Sequence, residues 1–129
     1  MDKNSEQAIN DIVAGASLAF GIVLLVQEGL GLYYAWVGVE LETISGGFLF
    51  ALFAILHLIG GFLGGYLVGR KKKENIIRAG IITAILAYII EFIYNLIFVG
   101  SFGGNIYAVL SLVIGSIFGA LFASRSGML

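Results

Sequence analysis

The chain has 129 residues, of which 60% are hydrophobic and only 12% are charged, with a net charge of −1. A soluble domain carries about a quarter charged residues, and at this length it has too little interior to bury so much apolar surface. The composition therefore excludes an ordinary soluble domain and predicts an all-α polytopic membrane protein. The absence of cysteine excludes disulfides and thiolate metal sites.

The first apolar segment predicts a transmembrane helix over about residues 9–28. Asn10 or Asp11 is expected to cap its start, because a short side-chain acceptor satisfies free helical N–H groups. The polar tail Met1–Gln7 is not net basic, and no small-x-small cleavage site follows the apolar run. We therefore expect a retained helix and not a cleaved signal peptide.

The segment Gln27–Ser45 has the composition of a membrane boundary. It contains three glutamates and no lysine or arginine, together with Tyr33, Tyr34 and Trp36. Amphipathic aromatic side chains favour the headgroup region. The segment predicts an extended helix end followed by an interfacial turn, with a break near Gly29 and Gly31 as the alternative.

Three further spans are predicted over residues 46–69, 76–99 and 106–124, separated by the turns Arg70–Asn75 and Gly100–Asn105. With four spans, every basic residue falls on one side of the membrane: Lys3, Arg70, Lys71, Lys72, Lys73, Arg78 and Arg125. The positive-inside rule makes that side cytoplasmic. We expect a multi-pass protein of the plasma membrane with both termini in the cytoplasm.

The chain contains an apparent internal repeat. Residues 59–70 read I-G-G-F-L-G-G-Y-L-V-G-R, and residues 114–125 read I-G-S-I-F-G-A-L-F-A-S-R. Extended upstream, the match defines two helical hairpins over residues 10–70 and 75–125. Two spans per half predict a parallel repeat, related by a pseudo-twofold axis along the membrane normal. The alternative is convergence between glycine-rich helices.

Small residues at four-residue spacing lie in the cytoplasmic half of each span, and bulky aromatic residues lie in the outer half. Lipid tails are as apolar as leucine, so close backbone contact at small residues drives helix association in membranes. The predicted packing positions are Gly15, Gly60, Gly61, Gly64, Gly65, Gly69, Gly80, Gly115 and Gly119. We expect a bundle that is closed inside and splayed outside, with the splay filled by aromatic rings or left as a vestibule. The pattern leaves open whether the ladders meet within one chain or between chains.

Glu91 is the most informative polar residue, because a carboxylate inside a span must face protein or water, be paired, or be protonated. Tyr88 and Asn95 share its helical face, and His57 lies at a similar depth on the second span. One interpretation is a proton- or cation-binding site formed by these four residues, with a His57–Glu91 relay. The other is hydrogen bonding that joins helices. One histidine without cysteines does not predict a metal site.

The basic cluster Arg70–Lys73, with Arg78 and Arg125, is predicted to anchor topology or to bind anionic lipid headgroups. The sequence lacks a nucleophile–base motif, and its G-G-x-x-G-G run lies in a span and follows no strand, so it is not a nucleotide-binding motif. We expect no enzymatic activity, no cofactor and no nucleic-acid partner. The expected partners are membrane lipids and other membrane subunits or copies of the same chain.

The duplicated hairpin, with its two glycine-rich returning helices, resembles small prokaryotic, especially archaeal, four-helix membrane proteins of unknown function. The resemblance covers residues 10–125 and implies no active site. Small multidrug transporters carry a membrane glutamate in their first helix, and rotary-ATPase ring subunits carry a carboxylate on the returning helix of a hairpin. Glu91 instead lies on the outgoing third helix. The sequence thus favours a protein that acts through helix packing, as a homo-oligomer or small subunit. The alternative is a small proton- or cation-linked transporter or channel with an outward vestibule around Glu91.

Overall fold

The computed structural model of the chain describes residues 3–40, 43–71, 74–100 and 106–126. The described residues form four α-helices, and a π-helical turn, Asn95–Val99, continues the third. The helices are α1 (Lys3–Val37), α2 (Gly46–Gly69), α3 (Ile76–Tyr94) and α4 (Ile106–Ser126). Each is long and apolar enough to cross a membrane, which confirms the predicted all-α polytopic fold.

Helix α1 is longer at both ends than the predicted span of residues 9–28. It begins at Lys3 and runs for 35 residues, about 50 Å, so it exceeds the ~30 Å hydrocarbon layer. The prediction that Asn10 or Asp11 caps the helix was wrong, because both lie inside it. The predicted polar tail is helical from Lys3 onward, since water-exposed residues can extend a helix beyond the hydrocarbon layer.

Asp11 has another role in the structure. Its side chain is buried, and the Nζ of Lys71 donates to its Oδ1 at 3.2 Å. Lys71 follows α2, so the contact joins the start of α1 to the end of α2. The sequence analysis missed this ion pair, although a lone aspartate among apolar residues near a basic turn is a usable signal.

The predicted extended helix end is confirmed. Helix α1 continues through Gly29 and Gly31 and ends at Val37, after which Gly38 adopts a φ of +76°. The Val39 amide donates to the carbonyl of Tyr34 at 3.0 Å, which closes the last turn. A glycine in the left-handed region is a common helix stop.

The other three spans agree closely with their predicted limits. Helix α2 matches residues 46–69, α3 with its π-helical turn covers 76–99, and α4 extends two residues beyond 124. Asn75 enters α3 from the left-handed region with a φ of +53°, which helps to reverse the chain. Lys72, Lys73 and most of the Gly100–Asn105 turn lie outside the described residues.

Helices α2 and α4 form the centre of the bundle. They share the most extensive contact, α1 packs on α2 and α3, and α3 packs on α1, α4 and part of α2. A pseudo-twofold axis exchanging the hairpins would require an α1–α4 contact as extensive as the α2–α3 contact. The described residues show no α1–α4 contact of that extent. The hairpins are present in tandem, but their packing departs from the predicted symmetry.

The contact between α2 and α4 brings backbone against backbone. A Cβ atom on Gly65 would overlap the carbonyl oxygen of Ser116, and one on Gly119 would overlap the carbonyl oxygen of Phe62. The same holds, with other backbone partners across this contact, for Gly61, Gly69 and Gly115. We call this α2–α4 contact the glycine seam. No side chain larger than hydrogen fits at these five positions without displacing the opposite helix.

The remaining predicted glycines join the outgoing helices to the seam. Gly60 and Gly64 of α2 lie against the backbone of α1, where a Cβ on Gly15 would in turn meet the Gly64 carbonyl at 2.8 Å. Gly80 of α3 lies against Ser116, whose Oγ donates to the Gly80 carbonyl at 2.7 Å. All nine predicted packing glycines thus lie against other helices of the same chain.

Burial is concentrated at one end of the bundle. We call the end with Arg70, Arg78 and Arg125 the basic end and the opposite end the aromatic end. The glycines of the seam are buried near the basic end, whereas Trp36 is 85% exposed and Phe98 72% exposed at the aromatic end. This gradient agrees with the expectation of tighter packing at the basic end. At the aromatic end, the Phe50 ring of α2 packs edge-on against the Tyr107 ring of α4. Aromatic side chains thus fill part of the space between these two helices.

A histidine–glutamate pair as the candidate functional site

His57 of α2 and Glu91 of α3 meet in the interior of the bundle. The Nε2 atom of His57 lies 3.1 Å from both carboxylate oxygens of Glu91. The two side chains are 4% and 15% exposed, respectively. His57 precedes Gly60 and Gly61 by one helical turn, so the pair lies where the glycine contacts end and the aromatic half begins. The structure thus brings together the two residues that the sequence analysis paired as one alternative.

The backbone fixes which imidazole nitrogen carries hydrogen. Nδ1 of His57 lies 2.6 Å from the carbonyl oxygen of Phe53, which only accepts hydrogen bonds, so Nδ1 is the donor. The contact between Nε2 and the carboxyl group is a hydrogen bond only if one of the two groups carries a hydrogen. Either His57 is a cation facing a carboxylate, or it is neutral and accepts from a protonated Glu91.

Both arrangements carry no net charge, which suits a site inside a membrane span, where an unpaired charge is costly. They differ only in the position of one proton on the line between Nε2 and the carboxyl group. The chemistry available to the pair is therefore the holding of one proton and its transfer between two atoms 3.1 Å apart.

The other two predicted site residues lie one turn to either side of Glu91. Tyr88 is half-buried and packs against the core cluster of the bundle: Ala16, Ala19, Ala84, Ala87 and Leu112. Asn95 begins the π-helical turn, and its carbonyl accepts from the Gly100 amide at 3.0 Å. The sequence analysis missed Phe53, whose position four residues before His57 was the available signal, since that spacing suits a histidine-to-carbonyl bond within a helix.

A cleft of about 170 Å³ opens between α1 and α2 at the aromatic end. Its lining consists of Gln27, Leu30, Gly31, Tyr34, Leu49, Leu52 and Phe53. Glu91 does not line this cleft, which approaches the pair through Phe53 on the α2 side. The cleft therefore differs in position from the outward vestibule that the sequence analysis placed around Glu91.

The polar atoms of the interior are satisfied. In the described part of the chain, every buried side-chain nitrogen and oxygen has a hydrogen-bond partner. The same residues contain no group of three or more His, Cys, Asp or Glu side chains positioned to hold a metal ion. The imidazole of His57 thus bonds to Glu91 on one side and to the Phe53 carbonyl on the other.

The predicted basic anchors occupy three different environments at the basic end. The Arg70 guanidinium lies over the Tyr66 ring, 5.9 Å from its centroid, and Lys71 pairs with Asp11. Arg78 and Arg125 each line a surface cleft. Lys72 and Lys73 belong to the predicted cluster but lie outside the described residues.

Four spanning helices joined by internal backbone contacts define a multi-pass α-helical membrane protein. Comparison of the chain with protein families, with curated proteins and with solved structures finds no match. The resemblance to small glycine-rich prokaryotic membrane proteins therefore stays a prediction.

Proposed function

We propose that the chain is a non-enzymatic integral membrane protein that acts through helix packing, as a homo-oligomer or as a small subunit of a membrane complex. The glycine contacts support this proposal most directly, because the seam joins α2 to α4 and the other packing glycines join α1 and α3 to them in one close-packed body. The hydrogen-bonded environment of Glu91 also supports it, since the carboxylate joins two helices of that body. Such a body presents an apolar side surface to lipid or to other membrane helices.

We further propose that the protein lies in the plasma membrane with its basic end in the cytoplasm. The positive-inside rule supports this orientation, because all seven basic residues of the sequence lie before the first span, in or next to the connection between the second and third spans, or at the end of the fourth. Neither connection at the aromatic end contains a lysine or an arginine.

This orientation predicts the labelling of introduced cysteines, and the natural chain contributes no background because it has no cysteine. Ser45 and Glu74 are both exposed and lie at opposite ends of the bundle. A membrane-impermeant maleimide is expected to label Ser45→Cys on intact cells and Glu74→Cys only after lysis. Labelling of Glu74→Cys on intact cells, with Ser45→Cys protected, would show the opposite orientation.

A second candidate function is a small proton- or cation-linked transporter or channel. The observation that favours it is the His57–Glu91 pair, which shares one proton and whose Glu91 side chain is 15% exposed. Intramembrane carboxylates and histidines commonly form proton relays. The two candidates differ in whether this pair moves its proton across the membrane or only joins helices.

Flux measurements with purified protein in liposomes separate the two candidates. Glu91→Gln is the suitable variant, because a glutamine amide can donate to Nε2 and replace the hydrogen bond without a titratable group. The packing proposal predicts that wild-type liposomes leak protons and K⁺ no faster than protein-free liposomes under an imposed gradient. Flux in the wild type that disappears in Glu91→Gln would establish the transporter instead.

The packing proposal also predicts that the chain assembles with copies of itself or with another membrane protein. In nanodiscs or mild detergent, the particle mass is expected to exceed that of a 13.7 kDa chain, or a second membrane protein is expected to co-purify from native membranes. A monomer without a co-purifying membrane protein would contradict the proposed mode of action.

A further inference from the structure

We propose that the first two turns of α3 form a binding site for one anionic phospholipid. The inference goes beyond the proposed function and does not depend on it. It requires only that α3 enters the membrane at the basic end, as its four-helix context demands. The site consists of one cationic side chain beside a large apolar cleft and a smaller cleft of mixed polarity.

The clefts lie on the two sides of α3. The larger, about 600 Å³, reaches Leu121 of α4, and the smaller, about 200 Å³, reaches Ile12 of α1. Asn75, Arg78 and Ile82 line both clefts. The remaining lining residues are Ile76, Ile77 and Ile81 in the larger cleft and Ala79 in the smaller. The walls below Arg78 are thus aliphatic, as the acyl chains of a lipid require.

The headgroup position carries the complementary charge. The Arg78 side chain is exposed, and no ion pair links it to another of the described residues. Its planar guanidinium matches two phosphate oxygens at once. Two described cations nearby make other contacts, because Lys71 pairs with Asp11 and Arg70 lies over Tyr66.

The start of α3 adds hydrogen-bond donors at the same place. The Asn75 side chain makes no capping hydrogen bond, so the first-turn amides of α3 have no partner from the usual cap. Exposed amides and the helix dipole favour an anion there. Arg78 lies in that first turn, so the cation and the amides belong to the same end of α3.

A phospholipid fits this arrangement better than a soluble phosphate, because a soluble anion would use only the polar rim. The apolar cleft beside one cation matches the acyl region and the headgroup of a lipid. The depth also fits, since the clefts descend from the boundary residues Asn75 and Arg78 to Ile82, about two turns into the span.

Native mass spectrometry of the full chain tests the site with dioleoyl phosphatidylglycerol, dioleoyl phosphatidylcholine and soluble glycerol 3-phosphate as probes. The wild type is expected to bind one phosphatidylglycerol at least fivefold more tightly than phosphatidylcholine, since one basic residue contributes about that factor near a lipid surface. Glycerol 3-phosphate is expected neither to bind detectably nor to compete.

Variants distinguish a specific lipid site from nonspecific electrostatic attraction between the basic end and anionic lipids. Arg78→Gln is expected to abolish the preference for phosphatidylglycerol, whereas Arg70→Gln, which removes an equal charge at the same end, is expected to keep it. Ile82→Trp retains the charge but fills the clefts at a 39%-exposed position, and is expected to weaken binding of both lipids. Equal loss from Arg78→Gln and Arg70→Gln, or strong competition by glycerol 3-phosphate, would overturn the proposal.

Discussion

Replacement of Gly65 by alanine is expected to destabilise the fold by about 1–3 kcal/mol, the usual cost of forcing extra atoms into a packed interior. The added Cβ would overlap the carbonyl oxygen of Ser116, a backbone atom that moves only if α4 moves. The free energy of unfolding can be measured in bilayers by steric trapping between two introduced, biotin-labelled cysteines. The absence of native cysteine makes that labelling specific.

Gly31→Ala is the matched control. It makes the same chemical change within a helix, but beyond the neighbouring backbone of its own helix a Cβ at Gly31 would meet no atom within 4 Å. Alanine is a better helix former than glycine, so this variant is expected to be as stable as the wild type or more stable by up to about 1 kcal/mol. Gly119→Ala, which inserts a Cβ from the α4 side of the seam, is expected to resemble Gly65→Ala.

The result also tells whether the seam belongs to the monomer. If these glycines joined separate chains, Gly65→Ala would lower the oligomeric state and leave the stability of one chain unchanged. Equal stabilities of Gly65→Ala and Gly31→Ala would show that the α2–α4 contact contributes little. Either outcome would remove the main support for a close-packed single-chain bundle.

The limits of α2, α3 and α4 could be predicted because the hydrocarbon thickness fixes the length of an apolar span. The start of α1 could not, because hydropathy reports where a helix meets lipid and not where its hydrogen bonding begins. The polar residues before residue 9 leave the hydrocarbon but remain helical from Lys3. Asp11 was misassigned as a cap for the same reason.

The glycine ladders illustrate a different limit. A small residue at every fourth position predicts that the backbone of another helix packs closely there, but the pattern does not show which helix that is. The repeat equates Gly61 with Ser116, whereas the structure packs Gly65 against Ser116, one turn further along α2. Register and neighbour depend on how all side chains of both helices fit together, which a repeat alignment does not contain.

The candidate site was accessible to sequence reasoning only in part. Similar depth in the membrane suggested that His57 and Glu91 meet, and their side chains lie 3.1 Å apart. Depth carries no information about rotation around the helix axis, so ordinary hydrogen bonding between helices remained the favoured interpretation of both residues. The orienting Phe53 carbonyl is a backbone group that any residue at position 53 would supply.

Removal of either partner of the His57–Glu91 pair is expected to destabilise the fold strongly. His57→Leu leaves a 15%-exposed carboxyl group without its hydrogen-bond partner, at an expected cost of about 3 kcal/mol, as for other buried pairs broken from one side. Glu91→Leu leaves only the Nε2 atom of a neutral imidazole unpaired, at an expected cost of about 1–3 kcal/mol. Steric trapping measures both values on the same scale as the glycine variants.

The double variant His57→Leu/Glu91→Leu is expected to be more stable than His57→Leu alone, because it leaves no polar group unpaired between α2 and α3. The double-mutant cycle should therefore give a coupling energy of about 1–3 kcal/mol. Strictly additive losses would show that the two residues act separately, despite the 3.1 Å contact.

The same double variant separates structure from transport. If it folds and assembles like the wild type, the pair is not required for the architecture. A polar contact whose burial carries a desolvation cost then has a role other than stability. The transporter would be favoured if the double variant is as stable as the wild type but lacks a proton flux that the wild type shows. Ordinary stability with no flux in either protein would leave the pair as a means of fixing the relative register of α2 and α3, the best-attested role of buried polar groups.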